Sequence, residues 1–292
     1  MSSRFVIKAT LAFYLVIFFG YLFGPLAIMS LTAFNTDNYP TAYPFEGFTL
    51  HWFGDLLSDV DIRGGLQNSV IIGVGVVCLS VTIGLAASIV MEQIYRRARG
   101  LFYLVVVSPV LTPGVIIGIS TVIFWKDFSE LTGLKPLLYH GIVLSILGQA
   151  SFISAYTMLI IMARLQRFDR QQEEAALDLG ASYPQVFRHI LLPFLKPALI
   201  SASVIAFLSS FENYNTTTFA ILADKTLVTV IAGQVRQGTS PKLSALAVLI
   251  IAVTLVAAVS YEILKRREEA RTKLAREQAA LAERASLELA AA

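Results

Sequence analysis

Two stretches of this chain carry side chains that could act on something other than the chain itself. In FLSSFENYNTTTFAIL, Glu212 is followed by Asn213, Tyr214, Asn215 and Thr216 within an otherwise apolar run. A carboxylate with amides, hydroxyls and a phenol beside it suits a cationic or polyhydroxylated solute better than an anion. At the centre of a membrane helix such an acid costs about 2.5–3.5 kcal/mol even on lenient insertion scales, so it is expected to face a protein interior or a watery cavity. Glu212 to Thr216 are therefore the candidate solute path. The structural alternative is a carboxyl bonded to a neighbouring helix and held neutral by burial. The other nineteen of the twenty acids fall in predicted loops, the tail or span ends, with Glu262 close to Lys265 and Arg266.

The second stretch is EEAALDLGASYPQVFRHILLP, residues 173–193. Asp169 followed by Gln172 has the form of a capping box, which predicts a short helix through about Leu179. Gly180 is placed as its left-handed C-cap. Ser182 with Gln185 repeats the capping pattern, and Pro184 falls in the first turn, where its missing N–H is harmless. Pro193 is expected to end this second helix and Pro197 to open the next span. Ala175 and Ala176 leave a surface with almost no bulk, suited to docking into a groove on another protein.

Other chemistries lack their residues. There is no G-x-x-x-x-G-K-[ST], so the chain has no P-loop with which to bind ATP. His51, His140 and His189 are far apart without metal-ligand spacing, and Cys78 is the one cysteine. No catalytic residue, metal site, cofactor or nucleic-acid motif is expected.

The elements that must position these stretches are set by composition. The chain is 56% hydrophobic and 15% charged, with a mean hydropathy of +0.69, where soluble domains are about a quarter charged. Six apolar blocks, about 10–34, 66–91, 101–125, 140–162, 198–222 and 243–264, match the roughly 20 residues that a bilayer core asks of a helix. An all-α, polytopic membrane protein of six transmembrane helices follows. Arg4 and Lys8 precede a first block too long for a signal peptide. The connections on one side, with both termini and the 163–197 segment, hold 17 Lys and Arg against 6 on the other. Positive-inside bias then puts residues 1–9, the paired helices at about 169–193 and the tail 265–292 in the cytoplasm. The tail is expected to be a helical extension. The loop 35–65 is expected to be an extracytoplasmic cap with a short amphipathic helix near HWFGDLL. Gly73, Gly75 and Gly84, and Gly114 with Gly118, allow close helix approach. Pro109 and Pro113 should kink the third span.

Glu174-Ala175-Ala176, three residues, Gly180, nine residues, then Ile190-Leu191-Leu192-Pro193 reproduces E-A-A-x3-G-x9-I-x-L-P without gap or substitution. This resembles the EAA signature of ABC-importer permeases, and it lies between the fourth and fifth spans, where that family carries it. The resemblance implies a type I ABC-importer permease fold over about 10–264 in a bacterial cytoplasmic (inner) membrane. It implies that Glu174, Ala175, Ala176, Gly180, Ile190, Leu192 and Pro193 couple to a cytoplasmic ATP-binding cassette ATPase dimer, so that this chain is a transport subunit and not an enzyme. A second homologous permease and an extracytoplasmic solute-binding protein are the further implied partners.

Within the family, DLGAS (178–182), the ILLP run, LSSFENYNTTTF (208–219) and GTSPKLSAL (238–246) look most like the second permease of spermidine/putrescine importers. That subfamily tends to have acids in the fifth span, and this chain has one, Glu212 followed by Asn213. Importers of opines, amino-acid derivatives, ferric iron or sulfate share the scaffold. From a different class, an ion-coupled secondary transporter would show repeats between its halves, and none is convincing here.

Overall fold

Backbone polar groups inside lipid have to be satisfied within the segment itself, which leaves helices for apolar runs of this length. The computed structural model describes residues 3–257, 259–263 and 265–267. In chain order its helices are α1 (Ser3–Thr32), a short α2 (His51–Ser58), α3 (Val60–Gln93), α4 (Arg96–Leu111), α5 (Gly114–Thr132), the single turn α6 (Lys135–Leu138), α7 (Gly141–Leu165), α8 (Gln171–Asp178), α9 (Tyr183–Val186), α10 (Leu192–Phe211), the single turn α11 (Thr217–Ala220), α12 (Leu227–Gln237) and α13 (Pro241–Arg267). Five continuous helices are long and apolar enough to cross a membrane, α9 and α10 running together as Tyr183–Phe211, and the bent pair α4–α5 makes a sixth. The tail helix expected beyond residue 267 lies outside the described residues.

Two predicted spans are corrected. The third is not one kinked helix: α4 stops at Leu111, α5 starts at Gly114, and their axes differ by 102°. Pro109 is accommodated inside α4. The break sits at Thr112, whose φ of −85° and ψ of 132° are the extended values that a following proline, here Pro113, imposes. The fifth span starts earlier and ends earlier than 198–222. It begins at Tyr183 and stops at Phe211, so Glu212 caps a helix end instead of occupying a helix centre.

The described residues form two compact units. One holds those up to Leu57 and from Thr239 on. In it, the buried hydroxyl of Thr32 donates to Ser244 Oγ at 2.8 Å, tying α1 to α13. Asn35 organises the loop that follows α1. Its side chain donates to Thr41 O and Pro44 O and accepts from Glu46 N, while its own carbonyl takes Trp52 Nε1–H at 2.8 Å. The amphipathic helix expected near HWFGDLL is α2, with Leu56 buried. Among the described residues, none in the most apolar 18-residue window of α1 is buried.

The second unit, Ser58–Gly238, is built on α3, α7 and α10. Asp59 starts α3 by accepting from Ile62 N at 3.1 Å, the usual way a carboxylate satisfies an orphan first-turn donor. Ile72, Val76, Ile153, Ala206 and Ile221 form one buried cluster; Ile161, Leu195 and Ala202 form another. The glycines of α3 set how closely its partners approach. A Cβ on Gly73 would meet the Phe207 ring at 2.8 Å, and one on Gly75 would meet Ile146 at 2.5 Å. At Gly84 it would lie 2.1 Å from Thr157 Oγ1 and 2.7 Å from Met158 N, beside the hydrogen bond in which Thr157 Oγ1 donates to Ser80 O across the helices at 2.7 Å. Small residues giving close backbone approach are how membrane helices associate where no hydrophobic force distinguishes helix from lipid.

Gly84→Ala is therefore expected to destabilise the unit by about 1–3 kcal/mol, the usual range for overpacking. Thermal melting in detergent checks this, with Gly100→Ala, whose added Cβ meets nothing within 4 Å, expected to melt as wild type.

Candidate functional site

The unit has one of the two candidate stretches at each end of its long helices. At the basic end, where α3 and α7 finish, the chain turns through α8 and α9. The helix starts at Gln171, and the expected Asp169–Gln172 capping box does not form: Asp169 Oδ1 accepts from Gln171 N instead, at 3.0 Å. Gly180 does close α8 in left-handed geometry, with φ of 87°. Its N–H donates to Leu177 O and the Ala181 N–H to Ala176 O, at 2.9 and 3.0 Å, the pair of bonds that defines a Schellman cap. Ser182 and Gln185 form the capping box of α9, the Gln185 side-chain oxygen accepting from Ser182 N at 2.7 Å. Around this turn Ala175 is exposed, Leu179 is 89% exposed and Tyr183 is 72% exposed. Three apolar side chains thus stand in the open beside a glycine turn.

Pro193 does not end the second helix. Residues Phe187–Leu191 widen into a π turn, in which Leu192 N donates to Phe187 O, and α10 continues from it. The proline ring would clash with the carbonyl four residues back and lacks the N–H to bond it. The wider turn absorbs both defects, as π-bulges do. Ile190 and Leu192 are half-buried on this turn, while Glu174 and Pro193 are exposed. The segment is mounted firmly. Arg170 pairs with Glu92 at the end of α3 at 3.0 Å, and Arg164 lies 4.3 Å from the Phe194 ring centroid, with Phe168 against the same ring. Glu92, Arg164 and Phe194 carried no recognisable motif. Each is defined by a partner more than 25 positions away.

At the far end, α10 stops and the chain passes through 212–216 before the single turn α11. One residue holds this irregular stretch. Gln149, 1% exposed in the middle of α7, donates to Thr217 Oγ1 at 2.7 Å and accepts from Ser210 Oγ at 2.5 Å. Asn213 does a similar job locally: its side-chain oxygen accepts from Thr216 N, Thr217 N and Thr217 Oγ1 at 3.1–3.2 Å. The α5 glycines receive the result. A Cβ on Gly118 would lie 2.6 Å from Thr216 O, and one on Gly114 3.1 Å from Thr216 Oγ1.

Glu212, Asn213, Tyr214 and Asn215 line one recess of about 390 Å³, together with Phe152 and Tyr156 of α7 and Ile205 and Ser209 of α10. Thr216 departs from the sequence-based set. It is fully buried against α5 and α7 and does not line the recess, and its hydroxyl has no partner among the described residues. Among the described residues no cation pairs with Glu212. Tyr214 is engaged: its hydroxyl accepts from Arg236 Nη2 at 2.8 Å. The recess thus brings one carboxylate, two amides and three aromatic side chains together.

Elsewhere, His51 pairs with Asp55 at 3.1 Å, His140 stands 4.0 Å from Asp224, and His189 Nδ1 lies 3.0 Å from Gln185 O. Arg266 and Glu262 pair at 2.6 Å.

A family model described as binding-protein-dependent transport system inner membrane component matches residues 80–270, which takes in both stretches. The putrescine transport system permease protein PotI of Escherichia coli K12 is 29% identical over 262 residues, 89% of this chain and 92% of that protein. The spermidine/putrescine transport system permease protein PotC of Haemophilus influenzae is 26% identical over 270 residues, 91% and 98% respectively. Among solved structures, a chain of a bacterial ABC transporter involved in the import of the acidic polysaccharide alginate matches with a TM-score of 0.67 at 18% identity, over 90% of this chain and 96% of that one. The alginate ABC transporter in complex with an alginate pentasaccharide-bound periplasmic protein matches with a TM-score of 0.64.

Gln149→Ala should loosen the 210–217 stretch, since it leaves two buried hydroxyls without their shared partner, a loss of about 1–3 kcal/mol. Melting in detergent reads it against Gln171→Ala, an exposed site expected to be neutral.

Proposed function

The chain belongs to the family of binding-protein-dependent transport system inner membrane components, and from that premise we propose how this ABC-importer permease couples its two ends. It forms half of the solute path, and a separate cytoplasmic ATPase dimer docks on Ala175, Ala176 and the turn at Gly180. The observation that carries this reading is the continuous helix Tyr183–Phe211. At 1.5 Å per residue its 29 residues span about 43 Å, from the signature segment to Glu212. A displacement imposed at α8 and α9 travels along one stiff element to the recess.

The solute we propose is a polyamine of the putrescine or spermidine class. PotI and PotC carry such solutes in their names, and the recess offers what a primary ammonium requires: Glu212 for charge, Tyr156 and Phe152 for apolar and π contact, Asn215 for hydrogen bonds. A homologous permease would supply the other half of the path, and an extracytoplasmic binding protein would deliver the solute. The count of 17 Lys and Arg against 6 supports cytoplasmic termini and a recess toward the opposite face. The domain scheme that accompanies this is a short cytoplasmic start at 1–9, a permease domain over 10–264 and a cytoplasmic tail.

Two substitutions test the two ends. A β-branched residue at Gly180 has to adopt left-handed geometry at a cost of about 1–2 kcal/mol, so Gly180→Val is expected to lower ATP-dependent uptake about tenfold while the protein still inserts. Normal uptake in that variant, measured in vesicles of equal permease content, excludes docking at this turn. Glu212→Gln should reduce putrescine uptake about tenfold, the scale of a charged hydrogen-bond partner, with assembly of the transporter unchanged on gel filtration. Unaltered transport kinetics would make Glu212 a purely structural residue.

A further inference from the structure

The amphipathic helix α12 lies outside both stretches, yet it links the 212–216 stretch to the starting end of α3. Its beginning is fixed many times over. Leu227 N donates to Ser69 Oγ at 2.9 Å in a buried contact, and Asn68 Nδ2 donates to Lys225 O at 2.9 Å. Lys225 pairs with Asp61 at 3.0 Å. The Thr226 carbonyl carbon lies where a Cβ on Gly65 would approach within 3.0 Å. Thr226 and Thr229 close the helix start with a capping box.

The other end is held lightly. Two turns on, Gln234 Nε2 reaches Asp59 Oδ2 at 3.4 Å, and Arg236 in the last turn donates to the Tyr214 hydroxyl at 2.8 Å. Both contacts are at or near the surface. The second one lands on a residue that lines the Glu212 recess. A helix clamped at one end and held at the other by two accessible hydrogen bonds is a hinged element, because such bonds exchange readily with water.

We infer that α12 is a strap across this end of the bundle and that the Arg236–Tyr214 hydrogen bond is its latch, released when a cationic solute settles against Tyr214 and Glu212. This rests on the recess being the cation path. Arg236 is a permanent cation stationed on the aromatic side chain that an incoming ammonium would also approach. The two positive charges repel and compete for one phenol, so solute occupancy and latch closure oppose each other. By linkage, the latch that a solute releases also disfavours solute-free opening of the strap, and it stabilises the resting state of the whole transporter. Arg236 is in this sense a positioning and specificity residue. A neutral solute would find the same latch and lack the charge to release it.

The test uses the complete transporter, with both permeases, the ATPase and the binding protein, reconstituted in lipid nanodiscs. Wild type, Arg236→Gln, Tyr214→Phe and the double variant are compared for ATP hydrolysis without solute and for its stimulation by putrescine. Each single variant is expected to raise the solute-free rate about threefold or more, the scale of one hydrogen bond, and the double variant to match the singles because both remove the same bond. Unchanged solute-free rates in both singles overturn the latch, as does a double variant whose effect is the product of the two. Tyr214→Phe deletes a single oxygen atom, so assembly on gel filtration separates a lost latch from a lost fold. The solute-free rate is independent of what the recess binds. If Glu212→Gln imports putrescine normally while the latch variants hydrolyse ATP faster without solute, the strap stands and the assignment of its releasing ligand falls.

Discussion

A backbone that leaves helical geometry at membrane depth exposes N–H and C=O groups that lipid cannot satisfy, and it is tolerated only where protein or a cavity surrounds it. This permease leaves helical geometry after Phe211, and most of its second unit is arranged around that departure. Gln149 reaches from the middle of α7 to hold Ser210 on one side of the break and Thr217 on the other. Asn213 takes up the N–H groups that α11 would otherwise leave orphaned. Gly118 is bare because the Thr216 carbonyl occupies the space of its missing side chain, Gly114 because the side chains of Asn215 and Thr216 do, and Gly141 because Ile221 O lies where a Cβ would be. The irregular stretch is thereby fixed on its buried side and open on the other, where Glu212 and Asn215 are exposed.

The same economy of breaks appears at the opposite end of the helix. A proline at 193 would be expected to end it, and the π turn at Phe187–Leu191 keeps it continuous. The consequence is mechanical. A helix that stopped at Pro193 would leave α8 and α9 joined to the bundle by a flexible link. The continuous one makes the surface around Gly180 and the recess around Glu212 the two ends of a single rod. The Glu92–Arg170 pair and the Phe168–Phe194–Arg164 stack fasten that rod's basic end to α3 and α7. A partially exposed ion pair alone contributes little, so the stack and the buried Val186 carry most of that mounting.

How much of this was legible in the sequence depended on whether the signal was local. Four of the six apolar blocks, the left-handed Gly180, the Ser182–Gln185 box and the helix at HWFGDLL are each decided within a few residues, and the structure has all of these. The family membership was legible for the same reason, since the signature is contiguous. The end of the fifth span at Phe211 was not, because FLSSFENYNTTTF continues a hydrophobic run with no proline or glycine to stop it. What stops the helix is Gln149, some sixty residues earlier, offering hydrogen bonds that the 210–217 stretch adopts in place of helical ones. Gln149 itself reads as one amide in an apolar span. The Thr112 break was half visible: two prolines announced a bend, but the 102° angle depends on α5 turning to lie against the 215–219 backbone. Arg236 appeared only as one of six charges on a side counted for topology. Its meaning comes from Tyr214, which sequence alone does not place beside it.

The charge layout at the recess bears on which solutes the path favours. Glu212 sits there with no cation paired to it among the described residues, although Arg236 stands on Tyr214 of the same recess, and its carboxylate opposes sulfate or any other anion that would pass close to it. Polyhydroxylated neutral solutes meet no such repulsion, but they also gain nothing from the carboxylate beyond a hydrogen bond. A flexible chain bearing primary ammonium groups gains both the charge of Glu212 and the faces of Tyr156 and Phe152.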